Sequence, residues 1–358
     1  QSIRKAVEEA ELMAGIKIDN VYVGIAGEHI QSINSRGVIA VSRDDNEITH
    51  DDIRRVIDAA KAVALPSNTE IIHILPQEFI VDKQDGIRDP VGMAGVRLEA
   101  EVHIVTGAVT SAQNIYKSVR RSNLEIRDLV LEPLASSYAV LADDERDLGV
   151  VLMDIGGGTT DIAMFFEGSI RHTASVALGG SNVTNDIALG LRTPLDQAEE
   201  IKIKYGCALQ NLVRDGEIIQ VPGVGGRQAR EVSRNVLAAI IQPRMEEIFS
   251  LSLREMKRSE YFDFMSAGVV LTGGGALLEG CIDLAEIVLG MPAKLGIPTG
   301  FGGLVDAAKS PIYATGVGLV QYGQKHMTEN RKSFGGKEKA LSLEKVIGKM
   351  KEWLEEFF

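Results

Sequence analysis

Residues 154–161 read Asp-Ile-Gly-Gly-Gly-Thr-Thr-Asp and lie between two apolar runs, Val150 to Met153 and Ile162 to Phe166. Glycines let a backbone approach a ligand closely, so successive N–H groups can converge on phosphate oxygens. Thr159 and Thr160 add hydroxyl donors. Asp154, at the end of a strand, suits Mg2+, which takes hard oxygen ligands and keeps several of its waters. A lone Gly-Gly-Gly is well explained as a capped hairpin. Aspartates on both sides, with hydroxyls between them, favour a phosphate loop instead. Other nucleotide and hydrolytic chemistries lack their signatures: there is no G-x-x-x-x-G-K-[ST], no G-x-G-x-x-G after a strand, and no G-x-S-x-G. The six histidines are scattered without zinc spacing.

These residues need elements to hold them. The pattern predicts a buried strand into Asp154, a second strand over 162–166, a turn at Glu167-Gly168-Ser169, and a third strand ending at Leu178-Gly179-Gly180. A second glycine cluster, Gly273-Gly274-Gly275, predicts a strand–turn–helix unit over 267–289. Residues 107–145 read as helix, strand, helix. Residues 28–106 read as a small α+β unit whose helix, near 50–64, is capped by Thr49 and Asp52. Residues 1–14 form an amphipathic pattern with Ile3, Ala6, Val7, Ala10 and Met13 on one face. Helices surround a Gly-rich hairpin at 217–230, and a helix is expected from Arg230 to Glu255. Residues 324–340 have linker composition.

Composition narrows the classes. A chain of 358 residues suggests two main bodies, and 45% hydrophobic and 25% charged residues exclude disordered and collagenous chains. No apolar run reaches the roughly 18 residues that a membrane span needs. The net charge of -12 repels nucleic-acid backbones, so no nucleic acid is expected as partner. Two cysteines, Cys207 and Cys281, make no disulfide framework, which fits a reducing cytosol.

Four motifs in order carry a resemblance: Asp154 to Asp161, Val270 to Ala276, Leu131-Glu-Pro-Leu-Ala-Ser-Ser-Tyr138, and Tyr313-Ala-Thr-Gly-Val-Gly-Leu319. Together they resemble the actin/heat-shock-chaperone/sugar-kinase superfamily. Within it, Ile74 to Phe79, Pro90-Val91-Gly92, Tyr205 to Leu209 and Val221 to Arg227 resemble the FtsA family of bacterial cell-division proteins. The resemblance implies an actin-like (ribonuclease H-like) two-lobed α/β ATPase fold. Its subdomains would be 1A (1–27, 107–145, 303–323), 1C (28–106), 2A (146–178, 261–302) and 2B (179–260), followed by the linker and a terminal helix, 341–358. It implies ATP and Mg2+ as cofactors. Gly156, Gly157, Gly158, Thr159 and Thr160 would touch the β- and γ-phosphates, with Gly179 and Gly180 approaching from the other strand end. Gly273, Gly274 and Gly275 would line the adenosine. Glu199 and Lys202 would reach ribose and base, though alone they read as an i,i+3 ion pair. Asp154 would sit near Mg2+, and Glu132 would orient water for slow hydrolysis or serve structurally. A first phosphate motif, Asp-x-Gly-Thr/Ser, is absent from Gln1 onward and is expected ahead of it.

The resemblance further implies a cytoskeletal protein at the cytoplasmic face of the cell membrane at the division site. It would polymerise with itself, bind the FtsZ C-terminal tail near Arg244, Glu246 and Glu247, and reach later division proteins through 28–106. A small-molecule kinase or a chaperone-type ATPase shares the cleft motifs. Neither explains a closing amphipathic segment. At about 100° per residue, Leu343, Val346, Ile347, Met350, Trp353, Leu354, Phe357 and Phe358 share one arc of about 140°, the face of a membrane-targeting helix.

Overall fold

The computed structural model describes residues 2–42, 45–302 and 308–333. Four sheets organise the described residues. The central one has the order β13-β12-β7-β8-β9: β7 (Val150–Ile155), β8 (Thr160–Phe166), β9 (Ser169–Val176), β12 (Val269–Thr272) and β13 (Ala293–Leu295). β7 pairs antiparallel with β8 and parallel with β12. Both of its neighbours and both of its faces are covered, which is why Val150 to Met153 is continuously apolar rather than alternating.

One face of this sheet carries α6 (Gly180–Leu191), α7 (Leu195–Tyr205), α8 (Arg234–Met256) and α9 (Cys281–Leu289) over the largest core. The α8 stripe Leu237, Ile241, Met245, Ile248, Phe249 and Met256 recurs every three to four residues and is buried throughout. The helix starts at Arg234, not Arg230. Residues Arg230–Ser233 instead form β11, paired antiparallel with β10 (Ile218–Val221), and the Ser233 hydroxyl accepts the Asn235 N–H at 3.3 Å to cap α8.

On the other side lie α4 (Glu132–Val140) and α10 (Ala314–Ser333), the two helices that the third and fourth motifs begin. They touch backbone to backbone: a Cβ on Gly318 would stand 1.9 Å from the Ala135 carbonyl oxygen, so only glycine permits the crossing. β1 (Asn20–Ile25) and β6 (Glu125–Leu131) form a parallel pair beside them, with α1 (Ser2–Ala14), α3 (Val109–Arg120) and α5 (Asp143–Leu148) outside. No residue of α1 is buried, so its expected apolar face covers no core among the described residues.

The inserted unit is a separate antiparallel sheet, β2-β5-β3-β4, of β2 (Gln31–Ala40), β3 (Thr69–Val81), β4 (Gln84–Ile87) and β5 (Arg97–Ala108), with α2 (His50–Ala60) packed on it. Asp52 accepts from both the main-chain N–H (3.0 Å) and the hydroxyl (2.7 Å) of Thr49, the expected cap.

The strand–turn–helix unit over 267–289 is as expected: after β12 the glycines form a 3-10 turn, Gly274–Leu277, and the helix begins at Cys281. One further expectation changes. α10 runs on to Ser333, so residues 324–333 of the expected linker are helical; its Lys and Glu residues are good helix formers. The remainder of that linker and the terminal segment from Leu343 to Phe358 lie outside the described residues.

Candidate functional site

The β7–β8 turn and the β12 turn meet at one cleft of about 490 Å³, within the roughly 300–1,000 Å³ common for small-ligand pockets. Gly156, Gly157, Gly180, Glu199, Lys202, Gly274 and Gly275 line it together with Ile203, Gly206, Arg234, Met245, Leu278 and Ile312. Seven residues singled out from widely separated parts of the sequence therefore converge.

α6 starts against the glycine turn: Gly180 N–H donates to the Gly156 carbonyl at 2.9 Å and Ser181 N–H to Gly157 at 2.8 Å. Gly179 packs on the same carbonyls, and Gly158 keeps open space around it. The threonines differ from expectation. Thr160 is fully buried and donates its hydroxyl to the Leu178 carbonyl at 2.8 Å, because the β8 register turns it inward. Thr159 donates to Asp161 at 2.8 Å. Backbone groups, rather than the Thr160 hydroxyl, face the cleft.

Glu199 and Lys202 form the i,i+3 pair at 2.7 Å, and Lys202 Nζ also donates to Thr184 Oγ1 (2.8 Å) and the Gly180 carbonyl (3.0 Å). The pair thus ties α7 to the first turn of α6. Burial alone would raise the Glu199 carboxyl, but the Lys202 and Thr184 donors win and hold it below the ordinary range.

Three carboxyls gather behind the glycine turn. Asp154 accepts hydroxyls from Ser136 (2.9 Å) and Thr315 (3.2 Å), which reach it from α4 and α10. Gly273, at φ +83, lies so close that a Cβ would come within 2.4 Å of Asp154 Oδ1, so the second glycine cluster makes room for the first. Burial pushes Asp154 and Asp161 up from the usual carboxylate range. Glu132, the first residue of α4, is pushed up to about 7 by burial and then by Asp161 and Asp154. Clustered acids that raise one another in this way fit a nearby divalent cation. Among the described residues no three acidic, His or Cys side chains are close enough to hold an ion directly.

The Glu132 shift has a stability consequence. A carboxyl raised in the folded state contributes stability below its unfolded value, 4.5, which is lost as pH rises through about 7. Relative to wild type, Glu132→Gln should therefore gain on the order of 2–3 kcal/mol between pH 5 and pH 8. A melting-temperature difference that stays flat over that range would contradict the assignment.

The residues expected to meet a partner lie elsewhere, on α8. Arg244 is engaged within the chain, donating to Asp186 of α6 at 2.6 and 3.1 Å and pairing with Glu247. Glu246 accepts from Gln242 at 2.7 Å. Sequence reasoning missed Ser136 and Thr315. Both lie inside recognised motifs, but nothing local shows that they serve Asp154. It also missed the apolar lining Ile203, Met245 and Ile312.

Family models match two stretches: cell division protein FtsA over residues 151–318, and the SHS2 domain inserted in FtsA over 27–106. The cell division protein FtsA of Pseudomonas aeruginosa is 51% identical over 358 residues, covering 99% of this chain and 85% of that protein. That of Escherichia coli K12 is 40% identical over 364 residues, covering 99% and 86%. The chain belongs to the FtsA family. Its fold is that of actin-like proteins. The structure of a PilM–PilN type IV pilus biogenesis complex superimposes with TM-score 0.62 at 16% identity, covering 90% of this chain and 84% of that one. MreB5 of Spiroplasma citri bound to AMPPNP superimposes with TM-score 0.53 at 18% identity, covering 63% and 67%. For a member of the FtsA family, cell division is the process served, and the kinase and chaperone alternatives fall away. No helix among the described residues is long and apolar enough to cross a membrane.

Proposed function

We propose that this FtsA-family chain binds Mg-ATP in the cleft between the β7–β8 turn and the β12 turn, and works as a polymerising actin-like protomer. In that role it links the FtsZ ring to the membrane and recruits later division proteins through 28–106. The observation that carries the nucleotide reading is the division of the cleft into two ends. At one end the glycine turn presents the N–H groups of Gly157 and Gly158, because Gly156 N–H donates to the Thr159 carbonyl and the first N–H groups of α6 are bonded within the chain; the carboxyl cluster stands behind. At the other, Ile203, Ile312 and Leu277 are 75%, 57% and 47% exposed, although they border a cleft. Exposed apolar side chains lining a cavity are covered favourably by a flat heterocycle. Lys202 and Glu199 lie between the two ends. MreB5, which shares the fold, was solved bound to AMPPNP, and this supports nucleotide binding.

When bound, Mg2+ would neutralise phosphate charge. Asp154 would orient its waters, and Glu132, with its raised proton affinity, would accept a proton from an attacking water, giving slow turnover at most. Displacement of a fluorescent ATP analogue tests the binding: ATP should compete in the presence of Mg2+, and failure to compete at millimolar concentration would refute it.

The expected FtsZ-tail face needs a test that spares the internal bonds of Arg244. Reversing Arg244 would break its two bonds to Asp186 and disturb α6 against α8. Glu246→Lys with Glu247→Lys leaves that fork in place. We expect this double variant to co-sediment less with FtsZ and to bind nucleotide normally. Unchanged co-sedimentation would move the interface off α8.

A further inference from the structure

Arg234, the first residue of α8, spends its whole guanidinium on three separate segments. Nε donates to the carbonyl of Tyr205, the last residue of α7, at 2.8 Å. One terminal nitrogen donates to Glu217, just ahead of β10, at 2.8 Å, and the other to Glu279, in the loop between the 3-10 turn and α9. The side chain is only 15% exposed and lies on the cleft wall. The two strips it joins form the sides of the apolar end: Glu199 to Gly206 on α7, and Gly274 to Glu279 after the second glycine cluster. The strips also approach each other where Gly206 packs against Leu278, and just beyond, where Ala208 N–H donates to the Glu279 carbonyl at 2.7 Å beside the Cys207–Glu279 bridge. A planar fork with fixed donor directions sets the spacing of three acceptors in a way a lysine cannot. The carbonyl end of α7 also favours a cation there.

We propose that Arg234 is a positioning residue that fixes the width of the cleft at its apolar end. It acts on a bound nucleotide through the α7 strip and the Glu279 loop. This rests on the nucleotide reading above and deepens it. Because the strut stands away from the carboxyl cluster, its loss weakens ATP and ADP equally, with or without Mg2+.

The test is a double-substitution cycle of Arg234→Lys and Glu279→Gln in the full chain, read by displacement of a fluorescent ATP analogue, with folding checked by circular dichroism. Arg234→Lys should weaken ATP and ADP alike by about tenfold. Glu279→Gln should weaken both by less, and the double variant should lose no more than Arg234→Lys alone, because both act on one contact. If Arg234→Lys does not fold, Glu279→Gln carries the test by itself: an equal weakening of ATP and ADP supports the proposal, and unchanged affinity overturns it. Additive losses, a loss confined to Mg-ATP, or affinity within twofold of wild type would each overturn it while leaving the nucleotide reading intact. No binding by the unaltered protein would sink both.

Discussion

Deleting residues 341–358, or substituting Trp353→Glu, should abolish co-flotation with anionic vesicles while leaving nucleotide binding unchanged. The eight apolar residues from Leu343 to Phe358 share one face, and each large side chain inserted contributes roughly 1.5–3 kcal/mol before ordering costs. Residues 341–358 hold three Lys and four Glu, so charge on the segment itself does not attract anionic lipid. Arg331, Lys332, Lys337 and Lys339 precede it, each worth about 1 kcal/mol near such a surface. Trp353 is the sole tryptophan, so its emission reports this segment alone. A blue shift on adding anionic vesicles is expected. Emission already blue-shifted without lipid, and unmoved by vesicles, would place the segment on protein instead.

Asp154→Ala should weaken Mg-ATP at least tenfold while changing Mg-free ADP little. The substitution removes the carboxylate that would order the waters of Mg2+, whereas the backbone donors of Gly157 and Gly158 remain. Its structural cost is limited, because Ser136 and Thr315, the two hydroxyls that Asp154 accepts, stand 3.0 Å apart and can bond to each other. Asp154→Asn, which keeps the shape, separates charge from packing. Equal losses for both ligands by titration calorimetry would make Asp154 purely structural. The contrast with Arg234, where ATP and ADP suffer alike, assigns the two ends of the cleft separately.

What the sequence showed follows from which signals are local. The β7–β8 turn is fixed by neighbours in sequence: an apolar run, three glycines, then a second run. Strand periodicity and glycine punctuation likewise located β12 and the β10–β11 hairpin, although β11 extends to Ser233 because Ser233 caps the next helix. Nothing local says that Gly273 must be glycine to clear Asp154, or that Gly318 must clear Ala135; both requirements arise from contacts across more than 100 positions. Thr160 makes the same point in reverse. Its type suited a phosphate, but its register in β8 sends the hydroxyl to Leu178. Nothing in the sequence around Arg244 shows that Asp186 of α6 holds its guanidinium.

The most direct measurement of the central claim is a crystal structure of the protein with Mg2+ and AMPPNP. The account places the phosphates against the N–H groups of Gly157 and Gly158, with the base among Ile203, Leu277 and Ile312 and within the strips joined by Arg234. A nucleotide seated away from the glycine turns, or a cleft still without nucleotide at millimolar concentration, would contradict it.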